Sequence, residues 1–271
     1  MSSSKTFHNI APEMESTNSN PPPPAASAIP ESLPTRPAAP SSSSGHPGDQ
    51  IFNLPKLRLQ FADLSHTASS TFLASVSNPA SMIQTACNNV LVHLYETPNS
   101  NHFTPPPTRS VTIILRSMGG VAYTTGMELD NDHKEIHFSL DYISKVDTGR
   151  VAHEIEGVIT HELVHCLQYS NGCPGGLVEG IADWVRLQCD LAPPHWKRDL
   201  NGKWDRGYQN TAYFLQYLEE RFGRGTVRKA NERLRTKRYD ECSFWDELVG
   251  WPIGRLWEDY CAEFKDKDGE L

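Results

Sequence analysis

Two histidines and a glutamate near the middle of the chain have the spacing of a metal site. The segment GVITHELVHCL contains His161, Glu162 and His165. On a helix, residues four apart lie on nearly the same face, so the two imidazoles project together and could bind one Zn²⁺. Glu162 lies one position round the helix, where it could flank a metal-bound water as a general base. The motif therefore predicts metal-assisted hydrolysis.

A third ligand is expected after this helix, because a catalytic zinc has three protein ligands and one open position. Glu179 follows His165 by 14 residues, and the loop NGCPGG between them can turn the chain. Asp183 comes four residues later on the same predicted helix face, where it can accept the outer N–H of a ligating histidine. The sequence thus predicts His161, His165 and Glu179 as ligands and Asp183 as the partner of a ligand histidine.

Other interpretations of these residues stay open. Two helical histidines with solvated carboxylates nearby need no metal, although the apolar neighbours favour a buried cluster for which a metal supplies partners. A metzincin pattern with a third histidine ligand six residues after His165 is excluded, because Gln168 and Asn171 stand where that pattern has glycine and histidine. A closed structural site with Cys166 and Cys173 is disfavoured, since Cys166 points about 100° away from His165. Cys166 is better interpreted as a small helix-packing residue than as a ligand or a nucleophile.

The elements that must position these residues are predicted from hydrophobic periodicity. Alternating apolar residues and β-branched runs predict strands over 53–65, 110–117 and 134–143, with an edge strand or turn over 119–126. Helical spacing predicts helices over 78–96, 150–170, 177–188, 207–223, 243–250 and 252–265. Strands come first and helices later, which indicates an α+β domain with a mainly helical C-terminal half.

Composition divides the chain into two parts. Residues 1–50 hold ten of the 20 prolines and eleven serines without apolar periodicity, which predicts a disordered Pro/Ser-rich tail. Residues 51–271 are long enough to build one domain. The net charge of −8 argues against nucleic-acid binding, and the basic segment 228–238 is interpreted as a solvated helix face. No apolar run could span a bilayer, and no signal segment is visible, so the sequence predicts a cytoplasmic protein.

Longer blocks of the sequence resemble the plant basic secretory protein family, zincin-type peptidases with fungal members. The similarity spans roughly residues 55–265 and lies in HELVHCLQY, GGLVEGIADWVRL, WDRGYQNTAYFLQYLEERFG, and GGVAYTTG followed by EIHFSLDYI. It implies a zincin-like fold with a small mixed sheet, an edge strand beside the cleft, an active-site helix and a helical lower half. It also implies a secreted location and a gluzincin arrangement, in which Glu179 and Asp183 provide the E-x-x-x-D pair.

Further residues are candidates for contact with a substrate. Tyr208 opens a helix in one of the resembling blocks, and its hydroxyl could donate to the oxyanion of a tetrahedral intermediate; a packed aromatic residue is the alternative. His195 could play the same part, or be a loop histidine. Gly119, Gly120 and Tyr123 could line an edge at which an extended peptide pairs as an added strand. Simple sheet packing would explain them equally.

Together these patterns predict a zinc-dependent endopeptidase with one catalytic Zn²⁺ and a peptide or protein substrate, monomeric by default. Glu162 is expected to take a proton from the attacking water and to pass one to the leaving amine. A zinc-stabilised binding or defence protein without turnover is the alternative, in which the same ligands are structural. An intracellular scaffold that acts through the tail is a third interpretation.

Overall fold

The structure, a computed structural model, describes residues 52–96 and 104–268, with side chains described as far as residue 265. The predicted tail over residues 1–50 lies outside the described residues. The strands are β1 (Lys56–Phe61), β2 (Ser110–Arg116), β3 (Ala122–Met127) and β4 (Asp130–Ser139). The helices are α1 (Thr67–Ser75), α2 (Pro79–Tyr95), α3 (Leu140–Ile143), α4 (Val151–Leu167), α5 (Gly175–Gln188), α6 (Tyr208–Phe222), α7 (Thr226–Thr236), α8 (Phe244–Val249) and α9 (Ile253–Asp268).

The four strands form one mixed sheet with the order β1-β2-β4-β3. β1, β2 and β4 run parallel, whereas β3 pairs antiparallel with β4 and forms one edge. The side chains of Ile113, Leu115, Ile136 and Phe138 on the central strands are fully buried and share one core with the apolar faces of α2 and α4. The prediction of a small mixed sheet followed by a mainly helical half is confirmed.

The first predicted strand is shorter than expected, and a helix that the sequence analysis missed follows it. The strand predicted over 53–65 is confined to β1, and α1 begins at Thr67 after a short turn. The imidazole of His66 accepts a hydrogen bond from the backbone N–H of Ala68 at 3.1 Å and so caps α1. Histidine is not among the usual helix-capping residues, so this start carries no ordinary sequence signal.

The strand predicted over 134–143 is wrong at its C-terminal end. The hydroxyl of Ser139 accepts a hydrogen bond from the backbone N–H of Tyr142 at 3.1 Å, which starts the short helix α3. Leu140 and Ile143 are both buried, so the apolar pattern continues from strand to helix without a break. A serine cap inside an apolar run therefore sets a boundary that periodicity does not reveal.

The helix α4 carries the histidine motif, and its apolar stripe anchors it in the core. Ile155, Ile159 and Leu163 are at most 1% exposed, as the pattern over 150–170 predicts. The helix ends at Leu167, before the predicted end at residue 170, because Gln168 takes the extended backbone angles φ −95° and ψ 162°. Among the described residues, no helix combines the length and the apolar character needed to cross a membrane.

A buried ion pair joins the first half of α4 to α5. The guanidinium of Arg186 donates to the carboxylate of Glu154 at 2.9 Å, and the hydroxyl of Tyr142 donates to the other carboxylate oxygen at 2.7 Å. The guanidinium lies directly on the backbone of α4, since a Cβ at Gly157 would lie 2.6 Å from Nε of Arg186. The two helices are therefore held together well before the histidine motif begins.

Close packing also joins α5 to the start of α6, and glycines permit it. A Cβ at Gly176 would lie 1.7 Å from the carbonyl oxygen of Asp205, and a Cβ at Gly180 would lie 2.3 Å from Cγ2 of Thr211. Gly207, directly before α6, has a φ of +87°, in the left-handed region that favours glycine. These contacts hold α5, which carries the predicted ligand Glu179, against α6, which begins with Tyr208.

Gly176→Ala tests this packing, with Gly175→Ala as its matched control. Because the new methyl group at 176 meets backbone atoms of Asp205, we expect the free energy of unfolding to fall by about 1–3 kcal/mol. A Cβ at Gly175 meets nothing within 4 Å, so its variant should be unchanged or more stable by up to about 1 kcal/mol. Urea unfolding followed by circular dichroism measures both. Equal stability of the two variants would contradict the packing argument.

Candidate metal centre

The helix α4 brings the two predicted histidine ligands together. The imidazole rings of His161 and His165 have centroids 4.7 Å apart and planes at 84°. Their Nε2 atoms lie 3.0 Å from each other. His161 is 9% exposed as a residue, and the side chain of His165 is 16% exposed. The four-residue spacing therefore produces the convergence of nitrogen atoms that the sequence predicts.

The carboxylate of Glu179 on α5 completes a three-residue group. Its Oε2 atom lies 3.1 Å from Nε2 of His161 and 3.5 Å from Nε2 of His165. Ligand atoms about 2.0–2.1 Å from one tetrahedral ion are about 3.3–3.4 Å from one another. The three observed separations of 3.0, 3.1 and 3.5 Å bracket that value. The donor set therefore fits a single small metal ion with one position left open.

Asp183 contacts Nδ1 of His161, the ring nitrogen that faces away from the other candidate ligands. Its Oδ1 atom lies 2.6 Å from Nδ1 of His161, and its side chain is only 4% exposed. Burial opposes the protonated form of His161, but hydrogen bonds to Asp183 and Glu179 outweigh it and raise the pKa to about 9. Burial likewise opposes ionisation of Glu179, yet its hydrogen bonds to His161 and His165 hold the pKa of that carboxyl well below its usual range. The surroundings therefore favour a positive charge between these groups.

The predicted general base faces the same cleft and is held by a residue of the edge strand. The carboxylate of Glu162 accepts a hydrogen bond from the hydroxyl of Thr124 at 2.7 Å. The same hydroxyl lies 3.1 Å from the backbone carbonyl oxygen of Glu162. Glu162 is 6% exposed and lines the cleft together with the three candidate ligands. Its position beside the ligand nitrogens follows from its place next to His161 on α4.

The site lies in a cleft of about 890 Å³. Its walls come from β3, α4, α5, the loop before α6 and the first residues of α6. Tyr123, Tyr208 and His195, which the sequence analysis named as possible substrate contacts, all line it. Gly119 and Gly120 lie just before β3 and are not among the lining residues. Most of the predicted contact residues are therefore brought together around the metal-binding group.

One edge of the cleft is the strand β3, and part of its backbone faces away from the sheet. The N–H of Ser139 donates to the carbonyl of Val121 at 2.9 Å, which makes these two residues a hydrogen-bonded antiparallel pair. By alternation, Ala122, Thr124 and Gly126 direct their N–H and C=O groups away from β4. No backbone partner for these outer groups occurs among the described residues. An extended chain could pair with them directly beside the candidate ligands.

Tyr208 stands over the site in a strained backbone conformation. Its φ is +49°, which costs a non-glycine residue about 1–3 kcal/mol. Its ring lies nearly parallel to that of His161, at an interplanar angle of 11° and a centroid distance of 6.4 Å, and the residue is 59% exposed. The negative charge of Glu179 and partial burial raise the pKa of Tyr208, so its hydroxyl stays a hydrogen-bond donor at neutral pH.

The cysteines contribute nothing to this group. Burial raises the pKa of the Cys166 thiol far above its usual range, and burial raises the pKa of Cys173 to about 11. Metal binding and nucleophilic attack both require the thiolate. Within the described residues, the cluster of metal-type ligands consists of His161, His165 and Glu179. The interpretation of Cys166 as a packing residue agrees with its 1% exposure.

Two residues that contact the site were missed by the sequence analysis. Thr124 lies in a segment assigned only as an edge strand or turn, and nothing in the sequence connects it to Glu162. Gln168 stands where a three-histidine pattern has its glycine, yet its Nε2 atom lies 2.7 Å from Nδ1 of His165. Its position three residues after His165, on the same helix face, is a signal that could have identified it.

The comparison with known proteins agrees with the resemblance seen in the sequence blocks. A family model described as a peptidase of plants and bacteria, BSP, matches residues 54–260. No curated protein and no solved structure matches the chain. The matched segment includes β3, the histidine motif, the two carboxylates of α5 and the tyrosine at the start of α6. The chain therefore belongs to the BSP family, the basic secretory protein family of peptidases from plants and bacteria.

Proposed function

We propose that residues 51–271 form a zincin-like catalytic domain and that the protein is a zinc-dependent endopeptidase. The observation that carries the proposal is the spacing of the three ligand atoms of His161, His165 and Glu179, with separations of 3.0, 3.1 and 3.5 Å. Membership of a peptidase family supports hydrolysis of peptide bonds. Two imidazoles and one carboxylate are a donor set typical of catalytic zinc, which keeps a fourth position open.

The roles of the surrounding residues follow from their positions. Zinc, when bound, supplies a Lewis acid that polarises the substrate carbonyl and lowers the pKa of water. Glu162 accepts the proton of the attacking water and delivers a proton to the nitrogen of the departing amine. Asp183 fixes the ring of His161 through its Nδ1 atom, 2.6 Å away. Thr124 holds the carboxylate of Glu162 towards the cleft.

The cleft supports an extended peptide as the substrate. The outward backbone groups of Ala122, Thr124 and Gly126 can pair with one stretch of substrate, as in strand addition. Tyr123 lies along this edge, and Gly120 lies just before it, so both are proposed substrate contacts. Tyr208 lines the cleft beside His161, and the proposed role of its hydroxyl is to donate to the developing oxyanion.

Zinc binding is expected to stabilise the fold through the predicted ligands. At a free zinc concentration of about 100 times Kd, the free energy of unfolding should rise by about 2.7 kcal/mol. Glu179→Gln should lose most of this gain, because one of three ligands is weakened. Glu128→Gln, at an exposed position outside the cleft, is the matched control and should keep the gain. Urea unfolding with and without zinc measures the gain in the free energy of unfolding. An equal gain in Glu179→Gln and in the wild type would show that Glu179 is not a ligand.

Replacing Glu162 should separate chemistry from metal binding. We expect Glu162→Gln to bind zinc like the wild type and to cleave a mixed peptide library about 10²–10⁴ times more slowly, because the general base is lost. Glu156→Gln removes a carboxylate from the same helix outside the cleft and should keep full activity. If both the wild type and Glu162→Gln retain zinc and cleave nothing, the protein is instead a zinc-stabilised binding protein without turnover.

The hydrogen bond from Thr124 to Glu162 can be tested by removing the hydroxyl of Thr124, with the neighbouring Thr125 as the control. Thr124→Val removes a hydrogen bond to a charged group, so we expect kcat to fall about tenfold or more while zinc affinity is unchanged. Thr124→Ser keeps the hydroxyl and should recover most of the rate. Thr125→Val is the control, since Thr125 is exposed and its hydroxyl bonds, among the described residues, to the adjacent carbonyl of Gly126. A similar loss of rate in both valine variants would assign the effect to the strand rather than to Glu162.

A further inference from the structure

The two nitrogen atoms of His165 face different partners. Its Nε2 atom points to the candidate metal position, 3.0 Å from Nε2 of His161 and 3.5 Å from the carboxylate of Glu179. Its Nδ1 atom points away, to the amide of Gln168 at 2.7 Å. A neutral imidazole that binds a metal through Nε2 must carry its proton on Nδ1. The group opposite Nδ1 therefore decides whether His165 is ready to coordinate.

Nδ1 of His161 faces a carboxylate, which can accept its proton's hydrogen bond, and Nδ1 of His165 faces an amide. The carboxylate of Asp183 accepts from Nδ1 of His161 and cannot donate, so it fixes one tautomer. The amide of Gln168 can do either, because it has a donor nitrogen and an acceptor oxygen. As arranged in the structure, the nitrogen faces Nδ1 of His165, and the amide oxygen is buried without a hydrogen-bond partner among the described residues.

A half-turn of the amide exchanges the two atoms. The oxygen then accepts from Nδ1–H, and Nε2 of the imidazole is free to bind the ion. The rotation gives up the contact between the amide nitrogen and the carbonyl of Val178, which is long at 3.3 Å. In return it forms a hydrogen bond from an imidazole whose N–H becomes a better donor once a cation is bound to the opposite nitrogen.

The end of α4 places this amide beside His165. Gln168 is the first residue beyond the helix, its backbone N–H still bonds to the carbonyl of Val164 at 2.7 Å, and it lies three positions after His165 on the same face. Gln168 is only 9% exposed, with α5 covering it at Val178. A buried amide that is held in this way has a restricted set of partners, and the ligand histidine is the nearest.

We propose that Gln168 is a positioning residue that selects the metal-binding tautomer of His165, with its amide oxygen accepting from Nδ1–H. The inference rests on the proposed metal site but not on turnover of a substrate. It assigns the two ligand histidines different partners, a carboxylate for His161 and an amide for His165. A carboxylate can only accept a hydrogen bond, whereas an amide accepts from Nδ1–H only with its oxygen turned towards the imidazole.

Zinc affinity of full-length variants, measured by competition with a chromophoric chelator, tests the proposal. Gln168→Met keeps a similar volume without an acceptor, and we expect it to weaken zinc binding about 10–100-fold. Gln168→Glu keeps an acceptor and should bind zinc within about threefold of the wild type or more tightly. Gln209→Met, a cleft glutamine with no contact to a ligand histidine, is the matched control and should leave affinity unchanged.

A second readout separates tautomer selection from a merely structural role. In zinc-loaded wild type, ¹⁵N NMR of labelled histidine should show a protonated Nδ1 on His165, and the melting temperatures of the metal-free variants should match that of the wild type. Equal weakening in Gln168→Met and Gln168→Glu, or an affinity of Gln168→Met within about twofold of the wild type, would overturn the inference. A wild type that binds zinc and cleaves no peptide would overturn the proposed peptidase alone. Failure of the wild type to bind zinc would overturn both.

Discussion

The structure depends on the convergence of three ligand atoms from two helices in a mostly buried place. Two imidazoles and a carboxylate gathered this closely would be costly without strong partners, because burial of polar groups is unfavourable unless they are paired. The pairing is supplied by Asp183 and Gln168 from outside and, as proposed, by a metal ion from within. The contacts between α4 and α5 hold the two helices at the distance that this cluster needs.

Contacts at two places along α4 and α5 set that distance. Near the start of α4, the Arg186–Glu154 ion pair lies on Gly157, and loss of one partner from a buried pair of this kind costs about 3–5 kcal/mol. Further along, the His161–Asp183 contact joins the same two helices at the site itself. On the far side of α5, close contacts at glycines bring α6 near, and with it the strained Tyr208. The positioning of the site therefore depends mainly on backbone proximity, which small residues make possible.

The sequence predicts the centre of this site well because its residues obey local helical geometry. The pairs His161/His165 and Glu179/Asp183 are each four residues apart, so one-turn spacing suffices to place them on common faces. Thr124 could not be assigned a role in this way, since its role depends on how β3 meets α4. Gln168 lies three residues after His165, and that local spacing is the signal that points to it. The missed helix α1 and the misplaced end of the strand over 134–143 have a related cause. Single side-chain caps at His66 and Ser139 decide those boundaries, and hydrophobic periodicity does not detect caps.

The outer edge of β3 also bears on how the protein could pair with other chains. A strand with open backbone groups can in principle recruit further strands, including those of other copies, and so begin an aggregate. Here the strand has six residues, and its register shifts between Gly126 and Met127 before the turn into β4. A bulge of this kind twists the strand and interrupts the ladder, so only a short stretch can be paired. The edge is thus long enough to hold a few residues of one extended chain and too short and irregular to template a growing sheet.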